Sequence, residues 1–309
     1  MRHVVCRRLR EMLPNFATLV SGMPRTVPIR IAAVLLALAG AWLSYTPAYT
    51  QNAPQLKIEK LADDLYVIAV AQGVGGGNVA VYLTDEGVIL VDDMFERNYA
   101  DIMTLLKSVS DKPVKYVLNS HQHDDHSGGN VKMLPTAEVI AHANVRANMA
   151  ALKQPGQPRV TFTREMDVFL GGKEVRAQYF GRGHTGGDAV LSFPARKAIH
   201  TGDLFLTLPP QPFIDYANGG SALEWTRTLD EILKLDFDIA IPGHGPVSDR
   251  AGILKFRANF ETMRNRVSGL LRDGKGKDEV SKSLSTEFGW APAGLAIQQV
   301  DALIAELKP

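Results

Sequence analysis

Cysteine is almost missing from this chain of 309 residues, with Cys6 as the single instance. It falls in a leader-like stretch, so the remainder can form no disulfide and offers no thiolate as nucleophile or metal ligand. Charge of one sign is not in excess either. The 34 Lys and Arg face 33 Asp and Glu for a net of +1, without the basic surplus of a nucleic-acid-binding surface. A long apolar run is also lacking. The most hydrophobic stretch, "IAAVLLALAGAWL", falls well short of the ~20 residues that span a bilayer. No long polar linker and no low-complexity tract divides the rest of the chain.

What is present begins with that leader. Arg2, Arg7, Arg8, Arg10, Arg25 and Arg30 precede the apolar run, and the small residues of "SYTPAYTQNA" follow it. A basic region, a short apolar core and a small-residue exit describe a secretory signal peptide. We expect residues 1–48 to be removed by a cut after Ala48, since a cut after Ala53 would place Pro54 beside it. A start at Met23 would give a leader of more ordinary length, and an uncleaved anchor is the competing reading. Six of the 34 basic and one of the 33 acidic residues leave with residues 1–48, so the mature chain carries 28 basic and 32 acidic residues, a net of −4. The expected location is the periplasm or the exterior, with no stable membrane insertion after cleavage. Without disulfides, stability there must come from core packing or bound metal.

From residue 56 the pattern alternates between strand and helix. "LKIEKLADDLYVIAV", "NVAVYLTD" and "GVILVDD" read as strands rich in Val, Ile, Leu and Tyr. "RNYADIMTLLKSVS" has helical spacing, "VKYVLNS" and "AEVIAH" read as strands, and "ANVRANMAALK" reads as a helix. A strand-rich second half ("DVFLGG", "KEVRAQYF", "DAVLSFP", "KAIHTGD") leads to the helical "SALEWTRTLDEILKLD", the strand-and-loop "FDIAIPGHG" and a helical remainder. "GVGGGN" has no following lysine or helix start and reads as a hairpin turn rather than a phosphate cradle. Two similar halves of this kind suggest two packed sheets with helices outside, one α/β layered domain over 56–309.

Ligand-type residues recur where apolar runs end. His121, His123, Asp125 and His126 follow "VKYVLNS", His184 follows "VRAQYFGRG", Asp203 follows "KAIHTG" and His244 follows "FDIAIPG". Five of the eight histidines stand at these points, and loops at one sheet edge are where a rigid scaffold carries chemistry. Imidazole and carboxylate suit zinc, and also iron, manganese or cobalt. His121 and His123 point the same way only if the backbone there is extended. The neighbours Asp125 and His126 must diverge, which fits a loop serving a second ion.

The motifs "HQHDDH", "GRGHTGGD", "HTGDLF" and "PGHG", in that order, resemble those of the metallo-β-lactamase superfamily of metallohydrolases. The resemblance covers roughly residues 60 to 250 and implies a four-layer αββα sandwich with two metal ions at one edge. It implies His121, His123 and His184 around one zinc and Asp125, His126 and His244 around the second, with Asp203 bridging both. A hydroxide shared by the ions would be the nucleophile, oriented by Asp125, and the substrate would be a small molecule. Zinc β-lactamases commonly carry cysteine or serine at the position of Asp203. An aspartate there resembles glyoxalase II, lactonases and ribonuclease Z. Export and the acidic mature charge disfavour the nucleic-acid and cytoplasmic thioester branches. The expectation is therefore an exported two-zinc hydrolase of an ester, lactone, thioester or amide. β-Lactam hydrolysis is the first alternative. The others are a persulfide dioxygenase-like enzyme with one iron at His121, His123 and His184, and a zinc-binding protein without catalysis.

Other residues carry two readings. His142 and His200 are expected to be structural, and Asp124 to face solvent or cap a turn. Asp92 or Asp93 would brace a ligating histidine from behind or simply close a strand. Tyr216, in "LFLTLPPQPFIDYANGGS", would donate to an oxyanion as a substrate-binding residue or pack as a loop tyrosine.

Overall fold

A computed structural model describes residues 55–71, 75–208, 212–290 and 295–308. The leader expected over residues 1–48 lies outside the described residues, as do residues 72–74 of the glycine-rich connection.

Seven strands form the first sheet in sequence order: β1 (Leu56–Lys60), β2 (Leu65–Val70), β3 (Val79–Leu83), β4 (Val88–Val91), β5 (Val114–Asn119), β6 (Glu138–His142) and β7 (Val160–Phe162). The first four pair antiparallel, and β4 through β7 pair parallel. Helix α1 (Tyr99–Lys107) supplies the crossover between β4 and β5. Between β5 and β6 lie two short helices, α2 (Asp124–Ser127) and α3 (Asn130–Met133), and α4 (Ala143–Ala151) precedes β7. The second sheet has the order β12 (Ile239–Ile241), β11 (Ala198–His200), β10 (Val190–Phe193), β9 (Lys173–Gln178), β8 (Glu165–Leu170). Helices α5 (Ala222–Ile232), α6 (Arg250–Arg272), α7 (Lys277–Phe288) and α8 (Leu295–Leu307) complete the chain.

The period-two alternation of strand side chains assigns residues to layers. Ala80, Tyr82, Ile89 and Val91 enter the core between the sheets, where they meet Val175, Ala177, Leu191, Phe193 and Ile241. Their neighbours Val79, Val81, Val88 and Leu90 face outward onto Ile102 and Leu106 of α1. In the second sheet Val190, Ile199 and Ala240 face outward onto Trp225 and Leu229 of α5, Phe260 and Met263 of α6 and Leu303 of α8. Helix, sheet, sheet and helix stack in that order, the αββα sandwich expected. The halves are less alike than the sequence pattern suggests. The first sheet gains β7, three residues too short to show in composition, while the second is antiparallel except for its β11–β12 pair. β2 and β3 pair antiparallel, as a hairpin reading of "GVGGGN" requires.

The ends of β4, β5, β9, β11 and β12 lie at one edge of the sandwich. β9 and β11 run the same way because both are antiparallel to β10, and β12 is parallel to β11. That directionality puts every ligand-type loop on one side.

Candidate metal centre

Seven side chains converge at this edge in overlapping groups: His121, His123 and His184; Asp125, His126 and His244; and Asp203 with His121 and His126. Within each group the ligand-type atoms lie within 4.8 Å of one another. His123 has extended backbone (φ −64°, ψ 144°), which turns it to the same side as His121. Asp125 and His126 depart from expectation. They do not diverge from a loop but occupy the turn α2, and both reach His244. Asp125 Oδ2 is 3.2 Å and His126 Nε2 is 3.2 Å from His244 Nε2. A helical turn rotates neighbours by about 100° rather than the 180° of a strand, so adjacent side chains can share one site.

The back of each ring determines which nitrogen faces inward. His184 Nδ1 donates to the Phe213 carbonyl oxygen at 2.7 Å, leaving Nε2 unprotonated. His123 Nε2 donates to Asp215 Oδ2 at 2.9 Å, so in the neutral tautomer this bond selects, the lone pair sits on Nδ1. These two bare nitrogens stand 2.9 Å apart. His126 Nδ1 donates to Asp92 Oδ2 at 2.8 Å, so its Nε2 faces the site. Ser120 Oγ donates to Asp92 Oδ2 at 2.7 Å and so receives the His121 Nδ1 proton at 3.0 Å. His121 Nε2, fully buried, then has no hydrogen-bond partner, and the buried Asp203 Oδ1 has only the His126 and His244 rings near it, at 3.2 and 3.5 Å. Imidazole lone pairs facing each other across 3 Å, and a buried imidazole nitrogen with no hydrogen bond, are costly without a cation between them. The donor set fits metal ions of the zinc class.

Electrostatics favour the same occupant. Burial pushes His121 well below the ordinary histidine range, helped by its imidazole neighbours, and burial takes His184 down to about 4. Both are therefore neutral, the form that ligates. Burial opposes ionising Asp125, but His126 and His244 hold its carboxyl at about 2, and Asp203 is held well below the usual carboxylate range by His126, His244 and His184 against the same opposition. Two ionised carboxylates in a buried pocket attract positive charge. His126 shows it, since its pKa is raised well above normal by Asp203 and Asp125 despite complete burial.

Asp203 joins the groups. Its Oδ1 lies 3.2 Å from His126 Nε2 and 3.5 Å from His244 Nε2, while its Oδ2 lies 3.6 Å from His184 Nε2. His123, Asp125 and His244 are each about a quarter exposed (24%, 27% and 26%). They mark the open side of the cluster, where a groove of about 600 Å³ has Asp125 and His244 in its lining. Val67, Val70, Phe95, Leu206 and Phe213 are among its apolar walls, and Arg97 stacks over Phe95 at 3.7 Å from the ring centroid.

The remaining expectations divide. His142 donates to Thr163 O and accepts from Asn144 N, and His200 bonds Asn78 O, so both are structural. Asp124 is exposed and accepts from Gln154. Asp92 is the brace. It sits in left-handed backbone (φ 63°), a conformation Asp tolerates better than most residues. Asp93 is buried without a hydrogen bond to its carboxyl oxygens. Tyr216 is corrected: its hydroxyl donates to Glu306 Oε2 at 2.9 Å, so the one proton it could offer an oxyanion is committed to the C-terminal helix. Its neighbour Asp215, overlooked in the sequence, is the residue that reaches the cluster. Only its position in the loop after Asp203 hinted at this.

Fold and donor set together define a metallohydrolase-type centre at the open edge of an αββα sandwich. Residues 72–244 match the family model of the metallo-beta-lactamase superfamily, and the chain belongs to that superfamily as a metal-dependent hydrolase. Over 228 residues it is 25% identical to a metallo-beta-lactamase type 2 of Elizabethkingia meningoseptica, spanning 72% of this chain and 90% of that one. Over 185 residues it is 30% identical to the 2,4-dinitroanisole O-demethylase subunit alpha of a Nocardioides species, 57% of this chain and 54% of that subunit. A solved metallo-beta-lactamase from Pontibacter korlensis shares the fold with a TM-score of 0.61 at 21% identity, covering 67% of this chain and 99% of that one. Among the described residues no helix is long and apolar enough to cross a membrane.

Proposed function

We propose that this protein is an exported hydrolase holding two zinc ions and cleaving an ester, lactone, thioester or amide bond of a small molecule. The observation that carries the reading is Asp203, whose two carboxylate oxygens point to different histidine groups, Oδ1 toward His126 and His244 and Oδ2 toward His184. His121, His123 and His184 would hold one ion, Asp125, His126 and His244 the other, with Asp203 between them. When bound, two such cations supply Lewis acidity and bring the pKa of a shared water toward neutrality. The chain's own part is positioning. Asp125, ionised at neutral pH on the groove floor, accepts a hydrogen bond from the attacking water and orients it. The apolar walls suit a substrate with hydrocarbon on at least one side of the scissile bond and exclude bulk water from it. Export rests on the signal-peptide pattern of residues 1–48.

β-Lactam hydrolysis is the second reading. A relative that this chain covers over 90% of its length is named for that activity; Asp203 argues the other way. The test is metal content of the purified mature protein, followed by a panel of short lactones, thioesters, aryl esters, a nitroaryl methyl ether and a chromogenic cephalosporin. Two zinc equivalents with turnover of a carboxyl derivative is the expected result. Preference for the cephalosporin would favour the second reading. One iron per chain with no hydrolysis of any member would overturn both.

A further inference from the structure

Two of the three histidines of one metal group take their orientation from a single loop. Phe213 O holds His184 Nδ1, and Asp215 Oδ2 holds His123 Nε2. Asp125, His126 and His244 take nothing from that loop; His126 is braced by Asp92 instead. The loop itself is pinned by the last helix. Glu306 on α8 accepts three hydrogen bonds across it: from Tyr216 Oη at 2.9 Å, from Ala222 N at 2.9 Å and from Ser221 Oγ at 2.5 Å. Gln299, two turns earlier on α8, accepts from Ile214 N at 2.8 Å. Ile214 is buried in the same core cluster as Val300, Leu303 and Leu307. Each of residues 213 to 216 therefore touches a ligating histidine or a partner on α8.

We propose that Glu306 is a positioning residue for the metal group of His121, His123 and His184, acting through loop 213–222 and leaving the group of Asp125, His126 and His244 untouched. A carboxylate suits the task because it can take three donors at once, which no neutral side chain of that size does as well. Its loss leaves Tyr216 Oη and Ala222 N seeking water, and frees the loop segment that carries Phe213 O and Asp215. Direct removal of an outer partner of a ligating histidine typically costs 10–100-fold in metal affinity. Glu306 acts one step further out, and backbone bonds such as Asp215 N to His184 O also restrain the loop. The expected effect is therefore about 5- to 10-fold.

The inference rests on the two-metal reading, and the experiment separates their failures. Zinc affinity of the metal-stripped full chain is measured by competition with a chromophoric chelator in two backgrounds, each keeping one histidine group intact. With His244→Ala, only the group of His123 and His184 remains whole, and adding Glu306→Ala should weaken zinc binding about 5- to 10-fold, with Glu306→Gln intermediate. With His184→Ala, the same change should leave affinity within twofold. Equal loss in both backgrounds, or none in the first, overturns the proposal. A merely structural role would lower the unfolding temperature and leave affinity unmoved, which also overturns it. Should Glu306→Ala fail to fold, Tyr216→Phe removes one of the three bonds and must weaken zinc in the first background alone. Failure of the unmodified chain to bind a second equivalent would sink the two-metal reading, while the first background would still decide the role of Glu306.

Discussion

Asp92 shows how much one side chain can organise. Its carboxylate accepts from Ser120 N at 2.7 Å, from Ser120 Oγ and from His126 Nδ1. Through Ser120 it fixes the tautomer of His121, and directly it fixes that of His126, so it serves both histidine groups. Asp92→Asn keeps the size but puts an amide N–H₂ opposite one of these donors. We expect zinc affinity to fall 10- to 100-fold, with the far-UV circular dichroism unchanged; affinity within twofold of the parent would remove Asp92 from the brace. The sequence offered Asp92 and Asp93 as equals. What separates them is the left-handed backbone at 92, which no composition or spacing announces. Tyr216 was singled out and Asp215 passed over for a similar reason: in an irregular loop, adjacent side chains point apart, and nothing local says which one faces the site.

At the scale of elements, the connection from β2 to β3 does more than turn the chain. Gly77 N donates to Asp125 O at 2.9 Å and Asn78 N to Gly243 O at 2.7 Å, while Asn78 Nδ2 donates to Pro242 O and Gly245 O. One short segment thus ties the α2 turn to the His244 loop. Gly77 is needed for space. A Cβ there would stand 2.2 Å from His126 Cε1 and 2.6 Å from its Nδ1, and this ring is buried and held by Asp92. Gly77→Ala should displace His126 and cost the second metal equivalent, with hydrolysis down roughly tenfold or more. Metal analysis beside a thermal scan checks it, and a folded Gly77→Ala protein that keeps both equivalents contradicts it. Most elements were legible because apolar alternation and helical spacing reflect burial directly. β7 was not, since three residues carry no period. The turn α2 was not either, because "DDHS" reads as polar loop until His123 O accepts the backbone N–H groups of His126 and Ser127.

The whole molecule needs its two sheets fixed relative to each other, because the histidine groups draw on both. The metal edge lies at the ends of β4, β5, β9, β11 and β12; the opposite edge is fastened by Asp64. This buried aspartate, in the turn entering β2, accepts from Arg196 Nη2 at 2.8 Å and from Lys173 Nζ, which also bonds Leu83 O at 2.7 Å. Lys173 opens β9 and Arg196 lies between β10 and β11, so one carboxylate of the first sheet holds two cations of the second. Burial works against its ionisation, but the hydrogen bonds from Arg196 and Lys173 prevail and hold its pKa below the usual carboxylate value. A carboxyl depressed on folding stabilises the protein above its unfolded pKa of about 3.9, and that contribution disappears as pH falls through the folded value. Removing one partner of a fully buried ion pair costs ~3–5 kcal/mol. Here the cations stay 27% and 36% exposed, so Asp64→Ala should cost about 1–2 kcal/mol after solvent screening. For a domain of this size that lowers the melting temperature by roughly 2–8 °C at neutral pH. The difference from the parent should hold steady between about pH 5 and 8 and close below about pH 4. A gap that persists unchanged into acid would mean that Asp64 acts through packing, and that the sheets are held by their shared apolar core alone.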